Sequence, residues 1–190
     1  MKITELYIVN NNKIVGVLTV LNANNGQIQL LKDAGYQLFP NEKSALDYIN
    51  RSHSKTVSIY VDGSFNNTTQ EIGSGIVVVE NNKIVQTISK KYNNKQWSAM
   101  RNVAGELFAC IEGVNYAKNN GYNEVTVYYD YQGIETWTNG EWKAKKEETQ
   151  RYKDWFDQIS KEIKINFVKV KAHSGNKYNE LADKLANVNK

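Results

Sequence analysis

With 190 residues, 41% hydrophobic and 23% charged, the chain has ordinary globular composition and the length for one good core plus a small appendage. No apolar run approaches the roughly 20 residues that span a bilayer, and the start, MKITELYIVNNNK, lacks the apolar stretch of a secretory signal, so a soluble cytoplasmic protein is expected. The net charge of +4 names no partner by itself, and the lone cysteine, Cys110, excludes an internal disulfide or thiolate cluster, so any metal must be held by oxygen ligands.

Residues 1 to 50 read as strand, strand, short helix, strand, helix: TELYIVN, KIVGVLTV, a segment near 27 to 33, GYQLF and NEKSALDYI. The stretch INRSHSKT, 49 to 56, joins a helical to a strand pattern and marks a boundary between a small α+β domain, 1–50, and a larger one, 55–190. Beyond it, VSIYVD (57 to 62), GSGIVVVE (73 to 80) and KIVQTISK (83 to 90) are β-rich runs, the last two joined by Asn81 and Asn82 as in a tight hairpin. The period then changes: Val103, Leu107, Cys110, Val114 and Ala117 recur at helical spacing from 102 to 119, and Gly121 is placed to end the helix. EVTVYYD, 124 to 130, is apolar enough for a central strand. A short helix at 132 to 138, a polar helix at 147 to 163, a strand at 165 to 170 and a helix from Lys177 complete an α/β class, a five-stranded mixed sheet flanked by helices.

Four acids stand at informative places. Asp62 ends the first strand of the larger domain, before a glycine that lets backbone pass close to a ligand, although aspartate there is also a common turn residue. Glu106 shares the helix face that packs on the sheet, where an unpaired carboxylate is costly and a buried salt bridge is the plainer alternative. Asp130 ends a strand, where functional groups of α/β sheets gather. Asp183 lies on the last helix one turn after Asn179, on a face that is otherwise an ordinary polar surface. Convergence of the four explains all of them, since such an all-oxygen cluster repels itself unless cations enter, and Mg²⁺ favours a few carboxylates with water and phosphate oxygens. Two such ions clamp an in-line phosphoryl displacement, which points to phosphodiester hydrolysis. Residues after 53 carry nineteen basic and sixteen acidic side chains; with four acids neutralised by cations, their surface moves from about +3 to about +7, which suits a polyanion.

VDGSF, RNVAGEL, YYDYQGIETW and KAHSGNKYNELADKLA resemble, in order and spacing, the four acidic motifs of ribonuclease H, type 1 branch, over about residues 55 to 188. The resemblance implies a ribonuclease H-like fold and an endonuclease that cuts the RNA strand of an RNA/DNA hybrid with Mg²⁺ or Mn²⁺, leaving 5′-phosphate and 3′-hydroxyl ends. It implies that Asp62 bridges two metals, that Glu106 and Asp130 complete the leaving-group metal, and that Asp183 holds the metal on the attacking side. His173 corresponds to a mobile loop histidine that assists proton transfer or product departure. Asn102, Gln132, Asn179 and the backbone of Gly63, Ser64 and Phe65 correspond to substrate contacts, read against RNA 2′-hydroxyls.

The sequence departs from that pattern at three places. Val103 stands where many relatives have a second asparagine. The segment FNNTTQEIGSG lacks a Gly-Asn-Pro run, with Asn67 the nearest replacement. The basic handle is reduced to WKAKKEETQRYKDW, in which Lys143, Lys145, Lys146, Arg151 and Lys153, with Trp137 or Trp142 as platform, either grip the DNA strand or form a solvated helix over a core tryptophan. Residues 1 to 50, most visibly GYQLFPNEKSALDYI, resemble the viroplasmin-like, hybrid-binding domain found ahead of many ribonucleases H. The net charge of +1 over residues 1 to 53 and the lack of tryptophan there leave a degenerate module for protein contact or dimerisation beside a hybrid-binding one. Two rivals to the ribonuclease H reading are another nuclease or integrase of the same fold and a noncatalytic hybrid-binding or scaffold module.

Overall fold

Asn81 and Asn82 both take left-handed backbone, φ +50° and +62°, the two-residue turn whose twist suits a hairpin and which asparagine tolerates better than most residues. They join β5 (Ile72–Glu80) to β6 (Lys83–Tyr92). The structure, a computed structural model, describes residues 3–11, 13–21, 25–52, 55–171 and 175–187. The chain divides into two units, residues 1–54 and 55–190.

In the larger unit β4 (Thr56–Phe65), β5, β6, β7 (Glu124–Tyr129) and β8 (Lys164–Lys169) form one sheet in the order β6-β5-β4-β7-β8. β4 pairs antiparallel with β5 and parallel with β7, and β7 pairs parallel with β8, so the sheet is mixed. The helical segments are α3 (Lys95–Ser98), α4 (Asn102–Asn119), α5 (Gly133–Thr136), α6 (Glu147–Ile159) and α7 (Lys177–Ala186). The smaller unit holds β1 (Ile3–Asn10), β2 (Lys13–Leu21), α1 (Asn25–Asp33), β3 (Gln37–Phe39) and α2 (Glu42–Ser52). Its antiparallel sheet has the order β2-β1-β3, and Val9 and Ala45 are its fully covered apolar residues among those described.

The main core lies under α4. Ala104, Leu107, Cys110, Val114 and Ala117 form its buried stripe, packed in one cluster with Ile59, Val61, Ile76 and Val127 of the sheet; each large aliphatic side chain so covered contributes about 1.5–3 kcal/mol. Gly121, at φ +75°, ends the helix as a left-handed residue just past its last turn. α7 meets other sheet residues, in a smaller cluster of Tyr60, Val77, Val79 and Ala182. Covered by both helices, β5 is buried without a break from Ile72 to Val79, hence its unalternating IVVV.

Several boundaries differ from the sequence expectation. Asp62 is not the end of its strand, because β4 runs on to Phe65 in register with β5. β7 stops at Tyr129 and leaves Asp130 just beyond it. β7 is an interior strand, as expected, between β4 and β8, but it alternates in burial. The polar helix stops at Ile159 rather than 163, and α3 was not anticipated.

Candidate active site

Glycines determine how closely the two helices approach the strand that carries Asp62. A Cβ on Gly63 would fall inside the backbone of Asn102, Gly105 and Glu106, and a Cβ on Gly75 inside that of Ala182 and Ala186. Gly63 therefore serves the seating of α4 as well, a second reason beside the ligand approach expected of it. Ser64 Oγ donates to the Ala186 carbonyl at 2.5 Å and Ser74 Oγ to the Gly105 carbonyl at 2.7 Å, tying α7 and α4 to β4 and β5. Parallel register sets Tyr60 of β4 against Tyr128 of β7; two residues further along each path come Asp62 and Asp130.

The four acids act on one another. Burial first, then the charges of Asp130 and Asp183, push the Asp62 carboxyl up to about 7, against the donated Gly63 N–H, which lies 2.7 Å from Asp62 Oδ1. Glu106, 4% exposed, is raised well above the ordinary range by burial and by the charges of Asp62 and Asp130. Glu106 Oε2 is buried without a hydrogen-bond partner. Among the described residues no three acids are gathered at ligand spacing as they stand; mutual repulsion works against closer approach. Oxygen donors, a buried orphan oxygen and acids pressing on one another without a basic neighbour acting on Asp62 or Glu106 fit a hard divalent cation.

A groove of about 330 Å³ is bordered by one of these acids, Asp183, and by the neighbour of another, Gly63. One wall is Gly63, Ser64, Phe65 and Asn67, a second Arg101 and Asn102, and a third Asp183 and Asn187. Thus β4, the start of α4 and the end of α7 meet there. Gln132 and Asn179 do not border it: the Gln132 amide oxygen accepts from Lys169 Nζ at 2.5 Å, and Asn179 is 4% exposed with its Oδ1 unpartnered. His173 lies outside the described residues. Arg101 and Asn187 were missed by sequence reasoning. Arg101 gave no pattern, but Asn187 repeats the four-residue spacing of Asn179 and Asp183, which puts all three near one helix face.

A second cavity, about 280 Å³, is lined by Met100, Val103, Tyr131 and Trp137, with Lys143, Lys145 and Lys146 also at its walls. Val103, where an asparagine was expected, serves this apolar wall. Trp142 packs edge-on against Trp137, ring centroids 5.8 Å apart. Arg151 and Lys153 face other partners: they pair along α6 with Glu147 at 2.6 Å and Asp157 at 3.0 Å. Cys110 is fully buried, its thiol pushed up to about 12 by burial, so it is no nucleophile. Among the described residues no helix is long and apolar enough to cross a membrane.

A family model described as RNase H matches residues 54–189. A ribonuclease H of Acetivibrio thermocellus is 32% identical over 146 residues, 70% of this chain and 92% of that protein. Among solved structures, RNase H1 of the halophilic archaeon Halobacterium salinarum superposes with a TM-score of 0.59 at 22% identity, over 70% of this chain and 95% of that one. LC11-RNase H1, solved in complex with an RNA/DNA hybrid, superposes with a TM-score of 0.56 at 19% identity, over 68% and 96%.

Proposed function

The chain belongs to the ribonuclease H family and is a ribonuclease H enzyme, and from that premise we propose that it is an endonuclease hydrolysing the RNA strand of RNA/DNA hybrids, leaving 5′-phosphate and 3′-hydroxyl ends. The observation that carries the reading is the mutual pressure of Asp62, Glu106, Asp130 and Asp183 beside a groove walled by three separate elements. A neighbour of the same fold held with a hybrid supports the choice of substrate.

Asp62, Glu106, Asp130 and Asp183 would hold two divalent cations, Mg²⁺ with Mn²⁺ as substitute. When bound, such a pair activates water and stabilises the charge that builds on phosphate in an in-line displacement. The remaining work belongs to the chain. Gly63, Ser64 and Phe65 bring backbone to the RNA, and Asn102 offers an amide with donor and acceptor together, the pair needed to read a 2′-hydroxyl. Gln132, its carbonyl oxygen held by Lys169, has amide hydrogens left for the same task, and Asn179 supports the strand from beneath α7. The second cavity takes the DNA strand, whose phosphates meet Lys143, Lys145 and Lys146 while sugars rest on Trp137. His173 exchanges a proton with the departing product, as its near-neutral ordinary pKa allows. Residues 1–50, with the element order β-β-α-β-α, form a viroplasmin-like module that binds hybrid or serves protein contact and dimerisation.

The test is a cleavage assay with labelled hybrid, duplex DNA and duplex RNA, with Mg²⁺ or a chelator. Cutting confined to the RNA of the hybrid and dependent on Mg²⁺ is expected. Equal cutting of duplex DNA would instead mark another nuclease of this fold, and binding without cutting a scaffold.

A further inference from the structure

Asn187 closes α7 with its side chain turned back on the last of the four acids. Its Nδ2 donates to Asp183 Oδ1 at 2.7 Å and to the Asp183 carbonyl at 2.9 Å, so both amide hydrogens are engaged by one residue. The orientation follows from chemistry, since exchanging the amide nitrogen and oxygen would set an acceptor against two acceptors. The Asn187 Oδ1 is left buried without a partner, an unfavourable state. Helix capping alone does not call for this arrangement, because the Asn187 backbone N–H already bonds to the carbonyls of Asp183 and Lys184. Asp183 and Asn187 also form one wall of the active-site groove.

We propose that Asn187 is a positioning residue for Asp183. By holding Oδ1 it fixes the rotation of the carboxylate and leaves Oδ2 to take a divalent cation, and this rests on the metal-dependent reading above. A neutral amide suits the role better than a lysine or arginine would: it orients the acid without cancelling the charge that attracts the cation.

The test uses the full-length protein and Mn²⁺ alone, followed by calorimetry, beside cleavage of hybrid over a Mg²⁺ series. Asn187→Leu keeps the size of the side chain and removes its donors. It is expected to weaken Mn²⁺ binding about 10-fold or more and to raise the Mg²⁺ needed for half-maximal cleavage similarly. Asn187→Gln, which can still donate, should recover most of the affinity. Should the leucine variant fail to fold, Asn187→Ser, too short to reach the carboxylate, carries the same expectation. Mn²⁺ affinity equal to wild type in the folded variant overturns the proposal. Absence of Mn²⁺ binding by the wild type is a different result, which overturns the metal-dependent reading and the proposal with it.

Discussion

Gly105 of α4 rests against Gly63 of β4 so closely that a Cβ on Gly105 would lie 2.8 Å from the Gly63 Cα. Two bare backbones in contact bring the helix nearer the sheet than side-chain packing allows. The residue beside each glycine is one of the four acids: Glu106 follows Gly105 and Asp62 precedes Gly63. The glycine contact thus brings the two acids close enough for each to act on the other's carboxyl.

Gly63→Ala is therefore expected to push α4 away from β4, lowering stability by about 1–3 kcal/mol or more and removing cleavage. Gly113→Ala, on the same helix, is the comparison, because its added methyl meets the flexible end of Ile59 at 2.7 Å rather than backbone. It should cost much less, offset by roughly 0.8–1.0 kcal/mol of helix propensity. Urea unfolding of both variants checks this, and equal losses would show that the backbone contact is not what seats the helix.

The raised acids also make the metal-free protein pH-sensitive. The ordinary carboxylate pKa is about 4, and Asp62 is pushed up to about 7 by burial and then by Asp130 and Asp183. Between those values the folded state holds more protons than the unfolded chain, so stability falls as pH rises. The contribution is complete below about pH 4 and is lost through pH 7. In chelator the loss between pH 5 and 8 should be on the order of 2–4 kcal/mol by urea unfolding. Mg²⁺ or Asp62→Asn should remove most of it. Stability that rises across this interval in chelator would contradict the assignment.

Much of the fold was readable because its signals are local. α4 was bounded correctly at both ends, Asn102 and Asn119, since a long amphipathic stripe and a terminal glycine agree. The hairpin at Asn81 and Asn82 followed from turn chemistry. What escaped depends on contacts distant in sequence. Gly63 looked like a ligand-approach glycine, and its use in seating α4 is visible only once Gly105 lies against it. β7 read as a central strand and is one, paired on both sides, yet which strands flank it is set by pairing and was not readable. At the candidate site, the four acids stand out in sequence through motif and placement, whereas the bond from Asn187 to Asp183 is announced by no composition signal.

Asp130→Asn is expected to abolish cleavage and leave hybrid binding in Mg²⁺ largely intact. Removing a charge from the acid cluster weakens stabilisation of the transition state more than it alters groove contacts, and Asp130 is not among the residues lining the groove. A filter-binding measurement beside the cleavage assay separates the two effects. Loss of binding in proportion to loss of rate would assign Asp130 to substrate recognition instead.

The last prediction concerns the smaller unit. Residues 55–190 carry every acid of the proposed site and every groove residue, and they cluster apart from residues 1–54. The cut must spare Lys55. Its backbone N–H donates to Asn123 Oδ1 at 3.1 Å, its carbonyl accepts from the Asn123 N–H at 2.9 Å, and its ammonium stands 4.1 Å from the centre of the Tyr122 ring. These contacts anchor the start of β4 beside β7. A chain beginning at Lys55 is expected to fold and to cut hybrid specifically. If the smaller unit binds hybrid, the truncated chain should show a higher KM with little change in kcat, the pattern of lost uniform binding. If that unit serves protein contact, KM should stay constant while the mass in solution by light scattering changes. An insoluble or inactive truncated chain would mean that the two units depend on one core, and that the boundary after Ser54 does not separate independent folds.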